Sequence, residues 1–237
     1  MELYRTVIED LKKWKEKKER KPLILKGARQ TGKTWILEHF GQIEFEYVAV
    51  FNFEKEGTLR EIFENTKDPK RILTQLALHT EVPLLPQRTL IVFDEIQECN
   101  KALNSLKYFC EEMPEYVIVS AGSLLGVTLS KGDSFPVGKV EFMDLYPLTF
   151  REFLKAADER LFDFVETLDS LSPLPQFIAD RMIEHYRRYL VCGGMPAAVK
   201  ALLEGNGLEE MRKIQQYILS AYTLDFSKHA NGKDIPR

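Results

Sequence analysis

The sequence LILKGARQTGKTWILEHFG, residues 23–41, carries the clearest structural signal in this chain. It opens with an apolar run, Leu23 to Lys26, which is typical of a short buried strand. A turn with two glycines follows, and the residues after Lys33 place apolar side chains on one face of a helix. The pattern predicts a strand, a tight turn and a helix in direct succession.

The turn itself, GARQTGKT from Gly27 to Thr34, matches the Walker A pattern G-x-x-x-x-G-K-[ST] of phosphate-binding loops. Its glycines let the backbone approach an anion so closely that several N–H groups point at phosphate oxygens. The amino end of the following helix adds its positive dipole. We expect the Lys33 ammonium to reach the β and γ phosphates of a nucleotide, and the Thr34 hydroxyl to bind Mg²⁺. An ordinary βα turn that matches by chance is the alternative.

A second apolar run, LIVFDEIQ at residues 90–97, ends in two adjacent acids and has the form of a Walker B strand. Asp94 at the end of that strand is placed to hold Mg²⁺, directly or through water. Glu95 is placed to polarise a water molecule for attack on the γ-phosphate, as a general base does. The alternative for this pair is a helix N-cap followed by a solvated acid in the first turn.

A third apolar run, YVIVSAGS at residues 116–123, ends in small polar residues. In P-loop ATPases with a glutamate after the Walker B aspartate, a strand inserts between the strands of the two motifs. Its tip carries a polar sensor of the γ-phosphate or the attacking water. Ser120 and Ser123 are both candidates for this role. The alternative is that both hydroxyls only satisfy backbone groups at the strand end.

Apolar runs rich in β-branched residues recur through the first part of the chain, and helical patterns separate most of them. Nearly continuous apolar strands that alternate with helices indicate a parallel sheet buried on both faces. The predicted strands are Leu23–Lys26, Tyr47–Phe53, Leu90–Phe93, Tyr116–Val119 and, more weakly, Val140–Leu145.

Strand signals end near residue 146, and only helical patterns follow. Thr149 with Glu152 three residues later predicts a capping box at a helix start, and the last predicted helix is Leu208–Tyr222. We therefore expect two domains. Residues 1–148 form a nucleotide-binding domain that begins with a helix over residues 1–20, and residues 149–237 form a helical lid with a C-terminal tail.

Together, GARQTGKT, LIVFDEIQ and VIVSAGS resemble the corresponding segments of AAA+-type ATPases. Two later segments, YPLTFREFL and CGGMPAAV, look like those of a prokaryotic family of AAA-type ATPases. Members of that family are often fused to a C-terminal domain of unknown function, and the family is related to the signal-transducing, switch-like P-loop ATPases. The resemblance covers nearly the whole chain.

The resemblance implies a three-layer α/β sandwich with a parallel sheet of strand order 5-1-4-3-2 and a helical lid from about residue 149. Carried over to this sequence, Asp94 binds Mg²⁺, Glu95 is the catalytic base, and Ser120 or Ser123 is the sensor. Lys33 also takes part in catalysis. The residues that would bind the triphosphate are Gly27, Ala28, Arg29, Gln30, Thr31, Gly32, Lys33 and Thr34.

One departure from the family concerns the cation that stabilises the transferred phosphate. Family members tend to carry Gly-Arg after the sensor strand, where this chain has Gly138-Lys139. A lysine lacks the planar fork that clamps a phosphate group. We therefore assign no arginine finger. Arg151, Arg187 and Arg188 are candidates, and solvated helix faces are the simpler interpretation of all three. Many AAA-type ATPases receive this arginine from a neighbouring subunit, so a homo-oligomer is an expected partner.

The composition argues against several classes of protein. The net charge of −3 shows no overall basic excess for nucleic acid. The three cysteines lack C-x-x-C spacing, which argues against a disulfide framework or a zinc site. No apolar run approaches the ~20 residues of a membrane span, and the N-terminus lacks the apolar block of a signal peptide. We therefore expect a cytoplasmic protein without a membrane partner.

These features favour an ATPase that hydrolyses ATP with Mg²⁺ and acts as a switch or motor. A P-loop small-molecule kinase is an alternative, against which Glu95 argues because a kinase can use the hydroxyl of its acceptor. A nucleotide-binding scaffold with little hydrolysis is another.

We expect a macromolecular client that is read by a further C-terminal domain. The segment at residues 12–21, with seven basic residues, leaves DNA open as a partner, although solvated lysines around a packed Trp14 explain it more simply.

Overall fold

The computed structural model describes residues 1–122, 136, 138–168 and 173–229. The chain divides into two compact units. The sheet unit contains Val7–Ala28 and Gly32–Leu145, and the helical unit contains Met1–Thr6, Arg29–Thr31 and the residues from Tyr146 onward. Six N-terminal residues and three residues of the Walker A sequence thus group with the helical unit.

The sheet unit contains five strands that pair in parallel in the order β2-β3-β4-β1-β5. This arrangement confirms the strand order that the family resemblance implies. The strands are β1 Leu23–Lys26, β2 Tyr47–Asn52, β3 Thr89–Asp94, β4 Val117–Gly122 and β5 Glu141–Asp144.

Helices cover both faces of the sheet and bury its alternating side chains in two separate cores. On one face, α1 and α2 pack against Leu23, Val92 and their neighbours. On the other face, α3, α4 and α5 pack around Phe93, whose ring meets four other phenylalanine rings. Each fully buried Phe stabilises the fold by about 1.5–3 kcal/mol. The helices are α1 Val7–Lys15, α2 Lys33–Glu44, α3 Gly57–Asn65, α4 Pro69–Leu76 and α5 Asn100–Glu112, and a 3₁₀ turn covers Ile96–Glu98.

The helical unit contains five helices among its described residues. The start of the first helix confirms a prediction, and the end of the last helix differs from one. The first begins at the predicted capping box, in which Thr149 and Glu152 bond to each other's backbone N–H groups. The last continues to His229, beyond the predicted end at Tyr222. The helices are α6 Phe150–Ala157, α7 Glu159–Glu166, α8 Gln176–Cys192, α9 Pro196–Leu203 and α10 Gly207–His229.

The N-terminal segment departs from the single helix predicted over residues 1–20. Only Val7–Lys15 forms a helix, and the first six residues belong to the helical unit. There Leu3 is buried with Leu148, Phe153 and Val199. None of the helices within the described ranges is long and apolar enough to cross a membrane.

The two helical-unit segments that carry the family resemblance meet at Leu148 and Gly194. The Leu148 N–H donates to the Gly194 carbonyl at 2.6 Å, and the Tyr189 hydroxyl donates to the Leu148 carbonyl at 2.8 Å. A Cβ atom at Gly194 would lie 2.1 Å from the Leu148 carbonyl oxygen. Gly193 has φ 67° and ψ −169°, a conformation that only glycine adopts readily. Gly194, the second glycine of CGGMP, is therefore required by its close packing against the Leu148 backbone.

We expect Gly194→Ala to destabilise the protein by about 3 kcal/mol or more, because the methyl group would collide with backbone atoms that cannot move aside independently. Thermal unfolding monitored by circular dichroism measures the effect. Gly57→Ala is the matched control, since a Cβ atom at Gly57 meets nothing within 4 Å. Equal Tm values for the two variants would contradict the packing argument.

Candidate functional site

The Walker A sequence forms the connection between β1 and α2, at the carboxyl edge of the sheet. It leaves β1 after Lys26, and α2 begins at Lys33, as the sequence predicts. Gln30 and Gly32 both have positive φ, 64° and 91°. This conformation costs glycine little, whereas for a non-glycine residue a sparsely populated conformation costs on the order of 1–3 kcal/mol. The loop is thus a specific, partly strained structure.

The Lys33 side chain is buried and turns back onto this loop. Its ammonium group donates to the Gly27 carbonyl at 2.9 Å and to the Ala28 carbonyl at 2.8 Å. Only 7% of Lys33 is exposed, and burying a charge is costly unless it is paired and hydrogen-bonded. The loop therefore holds a positive charge at the start of α2.

The Asp94 carboxylate, at the end of β3, accepts hydrogen bonds from two other segments of the sheet unit. The Thr34 hydroxyl lies 3.1 Å from both of its oxygens. The Asn52 amide donates to one oxygen at 2.9 Å. Asn52 and Asp94 are register partners on the parallel strands β2 and β3, which explains why their side chains meet.

Asn52 was not predicted from the sequence. Its signal was available, because it is the polar residue that ends the apolar run YVAVF. It also accepts from the backbone N–H groups of Glu54 and Lys55, which fixes the orientation of its amide. Because the side-chain oxygen of Asn52 accepts these two bonds, its NH₂ group is the part of the amide that faces Asp94.

Glu95 follows β3 directly and has φ 50° and ψ 45°, the left-handed conformation. Its carboxylate accepts a hydrogen bond from the Gln97 side-chain amide. The Gln97 carbonyl oxygen is buried and has no hydrogen-bond partner among the described residues. Gln97, the last residue of LIVFDEIQ, is thus a second contributor that was not predicted, and it fixes the Glu95 carboxylate at the edge of the sheet.

Of the two predicted sensor residues, Ser120 belongs to the described part of the chain. Ser120 is fully buried, and its hydroxyl has no hydrogen-bond partner among the described residues. It is in register with Phe93 rather than with Asp94. Because successive side chains alternate across a strand, Ser120 faces the layer of Phe93 and Asp94 the opposite layer. Its sensor role stays a prediction, and Ser123 lies outside the described residues.

Two of the cations considered for the transferred phosphate form ion pairs within their own unit. Lys139 lies 2.8 Å from a Glu111 oxygen in the sheet unit. In the helical unit Arg151 pairs with Glu166, and this carboxylate raises the pKa of Arg151. Both pairs are exposed, and exposed pairs contribute about 0–1 kcal/mol. Neither cation is therefore held firmly in place.

An all-parallel sheet of this order, whose first strand runs into a Walker A loop and whose third ends in a bonded aspartate, defines a P-loop nucleotide-binding protein. A family model described as an AAA domain matches residues 19–154, more than half of the chain. The chain therefore belongs to the AAA domain family, an ATP-binding class of ATPases, and the resemblance seen in the sequence is confirmed. A second model, a domain of unknown function (DUF8612), matches residues 183–237.

Two solved structures match this chain. PCH-2 of C. elegans is 12% identical, with 93% of this chain and 70% of that chain covered and a TM-score of 0.49. DnaA from Aquifex aeolicus, bound to AMPPCP, is 15% identical, with 85% and 65% covered and a TM-score of 0.42. No curated protein matches this sequence.

We expect Lys33→Ala to abolish most of the stabilisation by ATP, because it removes the cation held by the loop. ATP at ~100 times its Kd should raise the unfolding free energy of the wild type by about 2.7 kcal/mol. Thermal-shift titration measures this gain, with Lys70→Ala, an exposed lysine on α4, as control. An undiminished shift in Lys33→Ala would mean that the loop is not the nucleotide site.

Proposed function

We propose that this chain hydrolyses ATP with Mg²⁺ and uses the reaction as a switch or motor. The observation that carries the proposal is the convergence of the Thr34 hydroxyl and the Asn52 amide on the Asp94 carboxylate. This group stands at the edge of the sheet where the Walker A loop leaves β1. Phosphate-binding and acidic groups thereby belong to the same edge of one sheet.

The donor set of Thr34 and Asp94 suits Mg²⁺. This ion prefers oxygen ligands and is usually held by one or two carboxylates together with phosphate oxygens and water. The part of the chain that the structure describes contains no group of three or more His, Cys, Asp or Glu side chains that could hold a metal by themselves. When bound, Mg²⁺ neutralises charge on the phosphate oxygens. Thr34 and Asp94 would hold it, while Asn52 orients Asp94.

Glu95 is the group that we assign to proton transfer. A water oxygen attacks the γ-phosphorus, the bond to the oxygen that bridges the β and γ phosphates breaks, and the water proton passes to the Glu95 carboxylate. ADP and phosphate leave. The Gln97 bond to Glu95 supports this role, because a general base must be held in position to act on water.

The proposal includes a second copy of the chain. Lys139, which stands at the place of the family's Gly-Arg, and Arg151, one of the candidate arginines, are exposed and paired with carboxylates. An arginine supplied in trans can be worth about 10³–10⁵ in rate in related phosphoryl-transfer enzymes. Turnover per chain that rises with protein concentration would support this part of the proposal, and turnover independent of concentration would count against it.

We expect Glu95→Gln to retain ATP binding and to lower the turnover number by ~10²-fold or more, because the variant keeps the shape of the side chain but cannot accept the proton. Phosphate release measures turnover, and thermal shift measures binding. Glu112→Gln, on the exposed surface of α5, is the control and should hydrolyse ATP at the wild-type rate.

The same assay separates the competing functions. Hydrolysis without any added acceptor indicates an ATPase, whereas ATP consumption that requires a small-molecule acceptor indicates a kinase. ATP binding without turnover in the wild type, at any protein concentration, would indicate a nucleotide-binding scaffold. If Glu95→Gln hydrolysed ATP as fast as Glu112→Gln, the assignment of Glu95 as base would be wrong.

A further inference from the structure

Two carbonyl groups of the Walker A loop accept hydrogen bonds from side chains far away in the sequence. Arg5 donates to the Thr31 carbonyl at 3.0 Å, and the Tyr222 hydroxyl donates to the Arg29 carbonyl at 2.6 Å. Both donors and both acceptors belong to the helical unit. Arg29, Gln30 and Thr31 form the central part of the loop that the proposed function assigns to phosphate binding.

Arg5 is itself held rigidly. Its guanidinium also donates to the Tyr146 carbonyl at 2.5 Å and lies 3.4 Å from a Glu152 oxygen. The same Glu152 oxygen accepts from the N–H and the hydroxyl of Thr6. Arg5 and Glu152 are 5% and 2% exposed, and desolvation lowers the pKa of Arg5. A buried guanidinium with three acceptors has little freedom to release one of them.

The geometry of the peptide bond turns these contacts into control of the loop N–H groups. In a trans peptide the carbonyl of one residue and the N–H of the next lie in one plane and point in opposite directions. The described residues contain no cis peptide bond. Directing the Thr31 carbonyl towards Arg5 therefore turns the Gly32 N–H away from Arg5. The Tyr222 contact fixes the Gln30 N–H in the same way.

We infer that Arg5 and Tyr222 are positioning residues for nucleotide binding, because they set the orientation of the Gly32 and Gln30 N–H groups before a phosphate arrives. The inference rests on the proposed function and deepens it. A loop whose donors are already oriented loses less entropy when an anion binds, so the contacts increase the affinity for ATP. They also join the loop to α10 and the N-terminal segment, so nucleotide binding and the state of these elements influence each other.

The decisive variant is Tyr222→Phe, which removes one hydroxyl and keeps the ring. Tyr217→Phe is the matched control, since Tyr217 lies on the same helix, is 71% exposed and serves neither carbonyl. We expect Tyr222→Phe to raise the Kd for ATP roughly two- to tenfold, the range that one hydrogen bond allows. The KM should rise in parallel with an unchanged kcat, and the Tm without nucleotide should stay that of the control.

Arg5→Lys provides a second measurement. It keeps the charge beside Glu152 but loses the fork that serves three acceptors, so we expect the Kd to rise at least as much as in Tyr222→Phe. A purely structural role would lower the Tm without nucleotide and leave the Kd unchanged, and that result in both variants would overturn the inference. If the wild type itself failed to bind ATP, the proposed function would fail first, and the inference with it.

Discussion

The Asp94 carboxylate joins three segments of the chain, and the arrangement of the site depends on its hydrogen bonds. Thr34 belongs to the first turn of α2, Asn52 ends β2, and Asp94 ends β3. Each of these positions lies on a regular element that packs into the core mainly through apolar side chains. The position of a single carboxylate therefore depends on the packing of two helical layers against one sheet.

The parallel arrangement of the strands explains why such a site forms at one edge. All five strands run in the same direction, so their carboxyl ends lie together and their loops approach one another. The Walker A loop, Asn52, Asp94 and Glu95 all follow or end strands at this edge. The hydrogen bond between Thr34 and Asp94 joins residues that are 60 positions apart in the sequence. The same geometry places the dipole of α2 where an anion would bind.

The family could be recognised from the sequence because short motifs carry it, and the strand order was what that resemblance implied. The apolar runs gave four strands to within two residues at each end, and the start of α2 and the capping box at Thr149 follow from short motifs. Asn52 and Gln97 were missed because their importance lies in which side chain they meet. The Arg5 contacts with Thr31 and Glu152 span 26 and 147 residues, and nothing in a local window indicates them.

The buried ion pair of the helical unit, Arg5 with Glu152, also holds backbone groups in place. Replacing a buried pair by apolar side chains is often neutral or stabilising, because the desolvation of two charges offsets their attraction. Arg5 and Glu152 are nevertheless both buried, and each serves backbone groups as well as the other. An apolar replacement could fill the volume but could not orient the Thr31 carbonyl or the Thr6 and Thr149 N–H groups.

Backbone strain indicates the edge of the sheet that carries the candidate site only in combination with side-chain hydrogen bonds. Three non-glycine residues in the described part of the chain have positive φ: Gln30, Gln87 and Glu95. Gln30 and Glu95 follow β1 and β3 at the carboxyl edge, whereas Gln87 precedes β3 and accepts a hydrogen bond from Arg20. Strained residues thus occur at both edges of the sheet, and strain alone does not identify the edge that carries the candidate site. The convergence of Thr34 and Asn52 on Asp94 distinguishes them, because it joins side chains of three segments, including the Walker A sequence, at the carboxyl edge.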